Sequence, residues 1–241
     1  MIRNDGRQPN EARPIKIVTD FTMHAEGSVL IETGNTKVIC TASVEEGVPP
    51  FLKGKGSGWL SAEYNMLPRS TTKRVKRERT KVGGRTQEIQ RLIGRSLRSI
   101  LDLEALGEKT IWIDCDVIQA DGGTRSASIT GAFVALVLAL RKINGQFTSF
   151  PVQKQVAAIS LGIVNETVLL DLDYFEDSNA EVDINIILTE TKEIIEIQGT
   201  AEKKTFTRHK LTEILDIAET GLKNHFQAQL DVLNGHIVPD R

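Results

Sequence analysis

The sequence predicts a single α+β domain over residues 1–241, built of β-hairpins and packed helices. Three observations carry this prediction. Several segments alternate apolar and polar residues and break at short polar turns, as strands of β-hairpins do. Other segments place apolar residues at helical spacing. No Pro- or Ser-rich linker divides the chain, and its length can bury one sizeable core.

Composition is that of a soluble globular protein, with 40% hydrophobic and 26% charged residues and a net charge of −2. The longest apolar run, Ala132 to Leu140, is shorter than the roughly 18 residues of a membrane span, so we expect no membrane partner. Cys40 and Cys115 lie in strand-like runs, which fits a reducing cytoplasm better than a disulfide framework. The absence of CxxC, HExxH and GxxxxGK[ST] motifs argues against structural-zinc, zinc-protease and P-loop classes.

The first half of the chain opens with a predicted hairpin, in which residues 28–33 and 36–44 flank a turn at Gly34-Asn35. The next predicted elements are a loop at 48–58, a strand at 59–67, a helix at 86–101, a strand at 111–117 and a helix at 127–140. The last of these is apolar on nearly every side, which is typical of a helix buried on most of its surface.

The second half repeats the hairpin theme, which suggests two similar halves. Residues 156–164 and 167–173 form one predicted hairpin, and residues 182–188 and 193–198 form the other. Thr207 is a suitable N-cap for a long C-terminal helix.

Charge is distributed unevenly along the chain. Eleven basic and two acidic residues lie between Arg69 and Arg98, which gives this segment +9 and the rest of the chain −11. A basic block on an otherwise acidic protein indicates a localised polyanion site. The alternative is a solvated helix face with a mobile loop.

The sharpest local motif is Asp121-Gly122-Gly123-Thr124-Arg125-Ser126, between a predicted strand and a predicted helix. Glycines let the backbone approach a ligand closely, and the free N–H groups of a helix start attract anions. Arg125 adds a planar donor fork suited to phosphate. The motif therefore predicts a phosphate cradle, and the alternative is a Gly-Gly turn with a surface arginine.

A second stretch, Gly83-Gly84-Arg85-Thr86, repeats glycine, arginine and hydroxyl before a helix. Two such helix starts could converge on one anion. The alternative is an ordinary helix N-terminus with Thr86 as its cap.

Acidic residues gather later in the chain, at positions 171, 173, 176, 177, 181 and 183. Asp183 and Asn185 share one face of a predicted strand, and Asp177 lies just before it in a predicted turn. Such carboxylates can bind Mg²⁺ or Mn²⁺ through oxygen, and one could act as a general acid. The alternative is a solvated acidic turn.

Several long motifs together resemble the bacterial ribonuclease PH family. The matching stretches are His24–Ile31, Gly34–Cys40, Ala62–Arg69, Gly84–Arg95, Ile113–Arg125 and Ala180–Asn185. The resemblance runs from about Asp5 to Ala218 and implies a βαβ-type sandwich of mixed sheets and helices. It also implies the site residues, which are phosphate-binding Arg85, Gly123, Thr124 and Arg125, catalytic or metal-binding Asp177 and Asp183, and tRNA-binding Arg69, Arg74 and Arg77.

The same resemblance implies an activity and its partners. The family removes nucleotides from the 3′ ends of tRNA precursors and other RNA, with inorganic phosphate as co-substrate, nucleoside 5′-diphosphates as products and Mg²⁺ or Mn²⁺ as cofactor. Its members form hexameric rings built from dimers, so we expect a cytoplasmic homo-oligomer. Two rivals remain, a non-catalytic RNA-binding ring subunit and a metal-dependent hydrolytic nuclease. The sequence leaves open whether Asp177 or Asp183 donates the proton.

Overall fold

The computed structural model describes residues 3–78 and 81–238, and its described strands form two β-sheets. The first sheet has the order β1-β2-β3-β5-β4. Its strands are β1 (Ile15–Thr19), β2 (Gly27–Thr33), β3 (Thr36–Glu46), β4 (Trp59–Met66) and β5 (Lys109–Gln119). Neighbouring strands are antiparallel except for the parallel pair β4 and β5.

The second sheet is antiparallel, with the order β7-β6-β8-β9. Its strands are β6 (Val156–Val164), β7 (Thr167–Leu170), β8 (Val182–Thr189) and β9 (Ile194–Ala201). The described helices are α1 (Gly84–Arg98), α2 (Leu103–Leu106), α3 (Thr124–Lys142), α4 (Tyr174–Asn179), α5 (Arg208–Gly221) and α6 (Lys223–Val232).

Helix α3 lies between the two sheets and contacts β2 and β3 on one side and β6 on the other. It is long and apolar enough to pass the test of length and composition for a membrane span, but 83% of its most apolar window is buried inside the molecule. Packing in the core therefore accounts for its composition. Its first turn touches both sheets, since Thr124 lies beside Tyr64 on β4 and Arg125 donates to Gln198 on β9. A four-residue turn connects β5 to it.

Alternation along β8 separates the core from the site. Ile184, Ile186 and Leu188 pack with α5 in one apolar cluster. Asp183 and Asn185 face the other way, as the sequence predicts, and both line a cavity.

The predicted α+β fold class, the three hairpins and the strand from Trp59 are confirmed. Two elements near the site were not predicted. Strand β1 is only five residues long and pairs with β2 in antiparallel register. The predicted turn holding Asp177 is the short helix α4.

The predicted long C-terminal helix begins as expected, with the Thr207 side chain capping Lys210 N–H, but it is two consecutive helices. At the junction the His225 N–H donates to Leu222 O, a tighter bond than the α-helical one. The backbone next to this junction packs closely against β7, since a Cβ on Gly221 would lie 2.6 Å from the Leu170 side chain.

Candidate active site

The turn between β5 and α3 adopts a conformation that requires glycine. Gly122 and Gly123 have φ values of +72° and +63°, in the left-handed region. A Cβ on Gly122 would lie 2.3 Å from the Leu172 carbonyl oxygen. The turn is therefore pressed against the segment that leads into α4, which brings the phosphate-binding candidate Arg125 and the catalytic candidate Asp177 towards each other.

A buried ion pair lies beneath this turn. The Arg13 guanidinium donates to both carboxylate oxygens of Asp171, at 2.9 Å and 2.7 Å, and also to the Asp121 carbonyl. Thr36 Oγ1 donates to the Gly122 carbonyl at 2.6 Å and accepts from the Asp121 N–H. Burial raises the pKa of Asp171, but hydrogen bonds and charge from Arg13 outweigh it and leave that pKa below its ordinary value.

Helix α3 starts at this turn with its positive end open. Gly123 is the N-cap, no side chain caps the helix, and its first turn carries no acidic residue. The adjacent Thr124 hydroxyl lies 2.9 Å from the Tyr64 hydroxyl. Ser126, the other hydroxyl of the motif, is buried and donates to Asn185 instead of lining the cavity. An anion at this helix start would meet free backbone donors.

Two side chains from other elements orient Arg125. Its Nη1 donates to the Gln198 amide oxygen on β9 and lies 3.4 Å from a Glu88 carboxylate oxygen on α1. The Gln198 amide nitrogen in turn donates to Glu88 at 2.7 Å. Because the guanidinium is held on one side, its remaining donors have a fixed direction.

The candidate residues meet in one cavity of about 240 Å³. Its lining comprises Met66, Thr71, Arg85, Ala120, Gly122, Gly123, Thr124, Arg125, Ser160, Tyr174, Asp177, Asp183 and Asn185. All four predicted phosphate-binding residues and both predicted carboxylates are therefore brought together.

Ser160 on β6 is a part of this lining that the sequence did not single out. Its hydroxyl is buried, and no described protein group forms a hydrogen bond with it. A buried hydroxyl without a partner costs about 1–3 kcal/mol. A ligand oxygen in the cavity would supply the missing partner.

Both carboxyl groups of the cavity have raised pKa values. Burial, followed by the charge of Asp177, raises the pKa of Asp183 to about 6, against the opposing effect of Arg125. Burial also raises the pKa of Asp177, while Arg85 and Arg125 oppose the rise. Carboxyl groups with raised pKa values in a cleft are candidates for proton transfer.

The rest of the predicted acidic cluster does not reach the cavity. Asp173 caps α4 in a reciprocal capping box with Glu176. Glu176 is buried and accepts from Arg3 at 2.7 Å and 2.6 Å. Glu181 lies near Lys204 on another surface, and Asp171 holds Arg13. Sequence proximity alone grouped these carboxylates with the site, and that grouping was wrong. Three of them pair with basic side chains, and Asp173 caps α4.

The start of α1 differs from the expectation that both helix ends face one anion. The Glu78 carboxylate accepts from the Gly83 N–H at 3.0 Å and from the Thr86 hydroxyl at 3.1 Å. This acidic side chain takes the position at the helix start, so Thr86 does not cap the helix itself. The contribution of α1 to the cavity is the Arg85 side chain.

The basic loop that follows β4, with described residues 69–78, borders the site. Arg77 lines a second cavity of about 400 Å³ that shares Met66 and Arg85 with the first. Arg69 and Arg74 are exposed on the same loop, and Arg69 donates to the Thr72 carbonyl. The three predicted RNA-binding arginines thus lie on one loop, and Arg77 lines the cavity adjoining the candidate site.

Among residues 3–78 and 81–238, no group of three or more His, Cys, Asp or Glu side chains is arranged to hold a metal ion. The possible metal donors of the cavity are the carboxylates of Asp177 and Asp183 and the amide oxygen of Asn185.

Comparison with known proteins gives a consistent family. Residues 11–142 match the model of the 3′ exoribonuclease family, domain 1, and residues 154–221 match that of domain 2. Ribonuclease PH of Bacillus velezensis is 57% identical over 244 residues, covering 99% of both chains. Ribonuclease PH of Listeria welshimeri is 55% identical over 241 residues, covering 98% of this chain and 97% of the relative.

Solved structures share the fold at low sequence identity. Rice Rrp46 superposes with a TM-score of 0.80 at 18% identity, covering 96% of this chain and all of that one. The Archaeoglobus fulgidus exosome with RNA bound to the active site gives a TM-score of 0.76 at 20% identity, covering 90% of this chain and 89% of that one.

Proposed function

The chain belongs to the 3′ exoribonuclease family and is of the ribonuclease PH type, and from this premise we propose that the cavity between Arg125 and Asp183 is its catalytic centre. The protein is a phosphate-dependent 3′→5′ exoribonuclease that trims tRNA precursors. Inorganic phosphate is its co-substrate and nucleoside 5′-diphosphates are its products. The reverse reaction adds nucleotides to RNA 3′ ends, because one phosphate linkage replaces another.

The observation that carries the site assignment is the convergence of anion donors beside two protonatable carboxyl groups. The open start of α3, Arg125 and Arg85 border one cavity. The unpartnered hydroxyl of Ser160 supports a phosphate at the same place, since a phosphate oxygen would complete its hydrogen bonding. Asp177 and Asp183 complete the lining.

In this site an oxygen of inorganic phosphate attacks the last phosphodiester phosphorus of the RNA. A new P–O bond forms, and the bond from that phosphorus to the 3′ oxygen of the preceding nucleotide breaks. The two arginines and the helix start stabilise the negative charge on the equatorial oxygens. The phosphorus departs on the terminal nucleoside as part of a diphosphate.

The leaving 3′ oxygen takes a proton, and we assign the donor to Asp183. Its pKa of about 6 leaves a far larger protonated fraction near neutral pH than an ordinary aspartate has. Asp183→Asn should therefore lower turnover while leaving the phosphate concentration at half-maximal rate nearly unchanged. A parental turnover in that variant would contradict the assignment.

Asp177 and Asp183 also fit Mg²⁺ or Mn²⁺, the proposed cofactor. Mg²⁺ typically takes one or two carboxylates together with substrate phosphates rather than a full protein cage. A cation held by Asp177 and a substrate phosphate leaves Asp183 as the proton donor, whereas a cation bound directly to both carboxylates would lower the pKa of Asp183 and remove its proton. Such a cation supplies Lewis-acid stabilisation of the leaving oxygen.

Beyond the catalytic centre, we propose that Arg69, Arg74 and Arg77 hold the body of the tRNA. We also propose a homo-oligomer, specifically a hexameric ring. Support for an oligomer comes from the fold shared with the Archaeoglobus fulgidus exosome, an assembly of several subunits. Light scattering would give the mass, and a monomer would contradict the ring.

A cytoplasmic location is proposed from the two cysteines. Cys40 and Cys115 face each other across β3 and β5, and both are buried and unbridged. Free thiols persist in a reducing compartment. Microscopy of a fluorescently tagged protein would test the location, and secretion or membrane localisation would contradict it.

One experiment tests the reaction and the metal together. The protein is incubated with 3′-extended tRNA, with and without phosphate, each with and without EDTA. Nucleoside diphosphates should appear only with phosphate, and EDTA should suppress them. Equal shortening without phosphate, with monophosphates released, indicates a hydrolytic nuclease. Full activity in EDTA contradicts the metal proposal only.

A further inference from the structure

We propose that the ring of Tyr174 is a stacking platform for a nucleobase of the RNA, belonging to one of the two nucleotides that flank the scissile phosphate. The inference rests on the proposed function, because it takes the 240 Å³ cavity as the place of phosphoryl transfer. It adds a base-binding residue to a site whose other residues bind phosphate or supply carboxyl groups.

Tyr174 is positioned by the same turn that forms the phosphate cradle. It is the first residue of α4, three positions before Asp177 on that helix. Its backbone N–H donates to Asp121 Oδ1 at 3.3 Å. Helix, turn and cavity are thus linked, and the tyrosine is held next to the reacting groups.

Tyr174 also lies where two cavities adjoin. It lines the 240 Å³ cavity together with Asp183, and it lines a neighbouring cavity of about 580 Å³ together with Lys73 and Thr71 of the basic loop. An RNA strand passing from the basic loop to the carboxylates would run past the ring. Lys73 in the lining of that second cavity supplies a positive charge for the RNA backbone.

Exposure of this ring is unusual for a structural aromatic residue. The residue is 56% exposed although aromatic residues commonly contribute large buried areas. Proteins that bind single-stranded nucleic acid stack bases on such rings, and stacking tolerates every base because each has a π-face. That tolerance suits an enzyme that removes successive nucleotides of different sequence.

The test pairs Tyr174→Ala with RNA oligonucleotides that lack one base. Each oligonucleotide carries a single abasic ribose at the last, the second-last or the fourth-last position. Stacking on Tyr174 predicts that the variant binds intact RNA roughly 5- to 150-fold more weakly. The abasic ribose at one flanking position should weaken binding to the parent by a similar factor and add little in the variant, as a double-mutant cycle detects.

Two further variants separate stacking from a structural role. Tyr174→Phe keeps the ring and should restore the affinity, and Phe175→Ala removes the neighbouring exposed ring, 61% exposed on the same helix, and should change nothing. Additive losses at all three positions, or no loss in Tyr174→Ala, overturn the inference while phosphorolysis continues. Loss of phosphate dependence in the parent would instead contradict the proposed function.

Discussion

At the scale of single residues, Ser160 offers a change of one atom in the phosphate site. Ser160→Ala removes a buried hydroxyl without a protein partner. If that hydroxyl binds phosphate, the lost charge-assisted hydrogen bond is worth about 1.5–3 kcal/mol, or roughly 10- to 150-fold in the phosphate concentration at half-maximal rate. The free energy of unfolding without phosphate should stay equal or rise slightly, because an unsatisfied group is removed. Phosphate titrations of rate and urea unfolding measure the two effects.

Thr33→Val is the matched control, since Thr33 also carries a buried hydroxyl without a described partner but does not line the cavity. Its phosphate dependence should match the parent. Arg125→Ala should raise the phosphate concentration at half-maximal rate at least as much as Ser160→Ala does, because it removes a charge as well as donors. An unchanged phosphate titration in Ser160→Ala would assign this hydroxyl no role in binding.

The sequence was a good guide to some residues of the site and a poor one to others. Arg125 and Asp183 were found because glycines and a strand's alternation mark their surroundings. Ser160, Arg13 and Gln198 were missed because each is distant along the chain from the motifs of the site. Ser160 and Gln198 are brought there by strand pairing, and Arg13 by its ion pair with Asp171. No local pattern indicates which face of a fully buried strand such as β6 meets a ligand.

At the scale of elements, the N-terminal segment braces the loop and helix that carry the catalytic candidates. Arg3 is buried against Glu176 and donates to the Leu170 carbonyl at 2.8 Å. Arg13 joins Asp171 to the glycine turn. Removing one partner of such a pair leaves a buried charge uncompensated, which costs more than the pair itself contributes.

Asp171→Asn should therefore destabilise the protein by about 3–5 kcal/mol at neutral pH. Because the pKa of Asp171 is lowered in the folded state, its contribution is present above its ordinary value of 3.8 and is lost as pH falls through the folded pKa. The stability gap between parent and variant should thus narrow progressively below about pH 4. Urea unfolding at pH 7 and at acidic pH measures this gap.

Asp216→Asn is the control, since Asp216 is exposed on α5 and should change unfolding little at either pH. A gap in the Asp171→Asn comparison that stays constant from pH 7 to pH 3 would contradict the ion-pair account. A higher phosphate concentration at half-maximal rate in folded Asp171→Asn would further show that the ion pair of Arg13 and Asp171 positions the glycine turn.

Elements that depend on residues close together in the sequence were easier to predict than elements that depend on contacts between distant residues. The hairpin of β2 and β3 was readable because alternation and a Gly34-Asn35 turn lie within a few residues. Helix α4 was not recognised, although its capping box of Asp173 and Glu176 was visible in the sequence. The C-terminal helix divides next to Gly221, which packs against Leu170, a residue distant along the chain.

At the scale of the whole molecule, positive charge is concentrated at one end of the first sheet. The basic loop follows β4, and Arg85 begins the helix after that loop. Both border the cavities around the catalytic candidates, while the rest of the chain carries an excess of acidic residues. A polyanion approaching the molecule is therefore attracted to the end that holds the site.

The final prediction concerns this field. Replacing Arg69, Arg74 and Arg77 together with alanine should weaken tRNA binding and flatten its salt dependence. Each lost phosphate contact reduces the magnitude of the slope of log affinity against log salt by roughly 0.7–0.9. Three lost contacts therefore reduce it by about 2–3. Binding is measured without phosphate over a range of salt concentrations.

The control removes equal charge at the other end of the molecule. Lys53 and Lys55 precede β4 whereas the basic loop follows it, and Lys142 ends α3 whereas Arg125 lies at its start. Alanine at all three lysines should leave the slope close to that of the parent, because exposed charges farther away than a Debye length of about 8–10 Å are largely screened. Equal slopes in the two triple variants would mean that net charge, rather than the loop, attracts tRNA. A parental slope in the arginine variant would make those arginines a solvated surface.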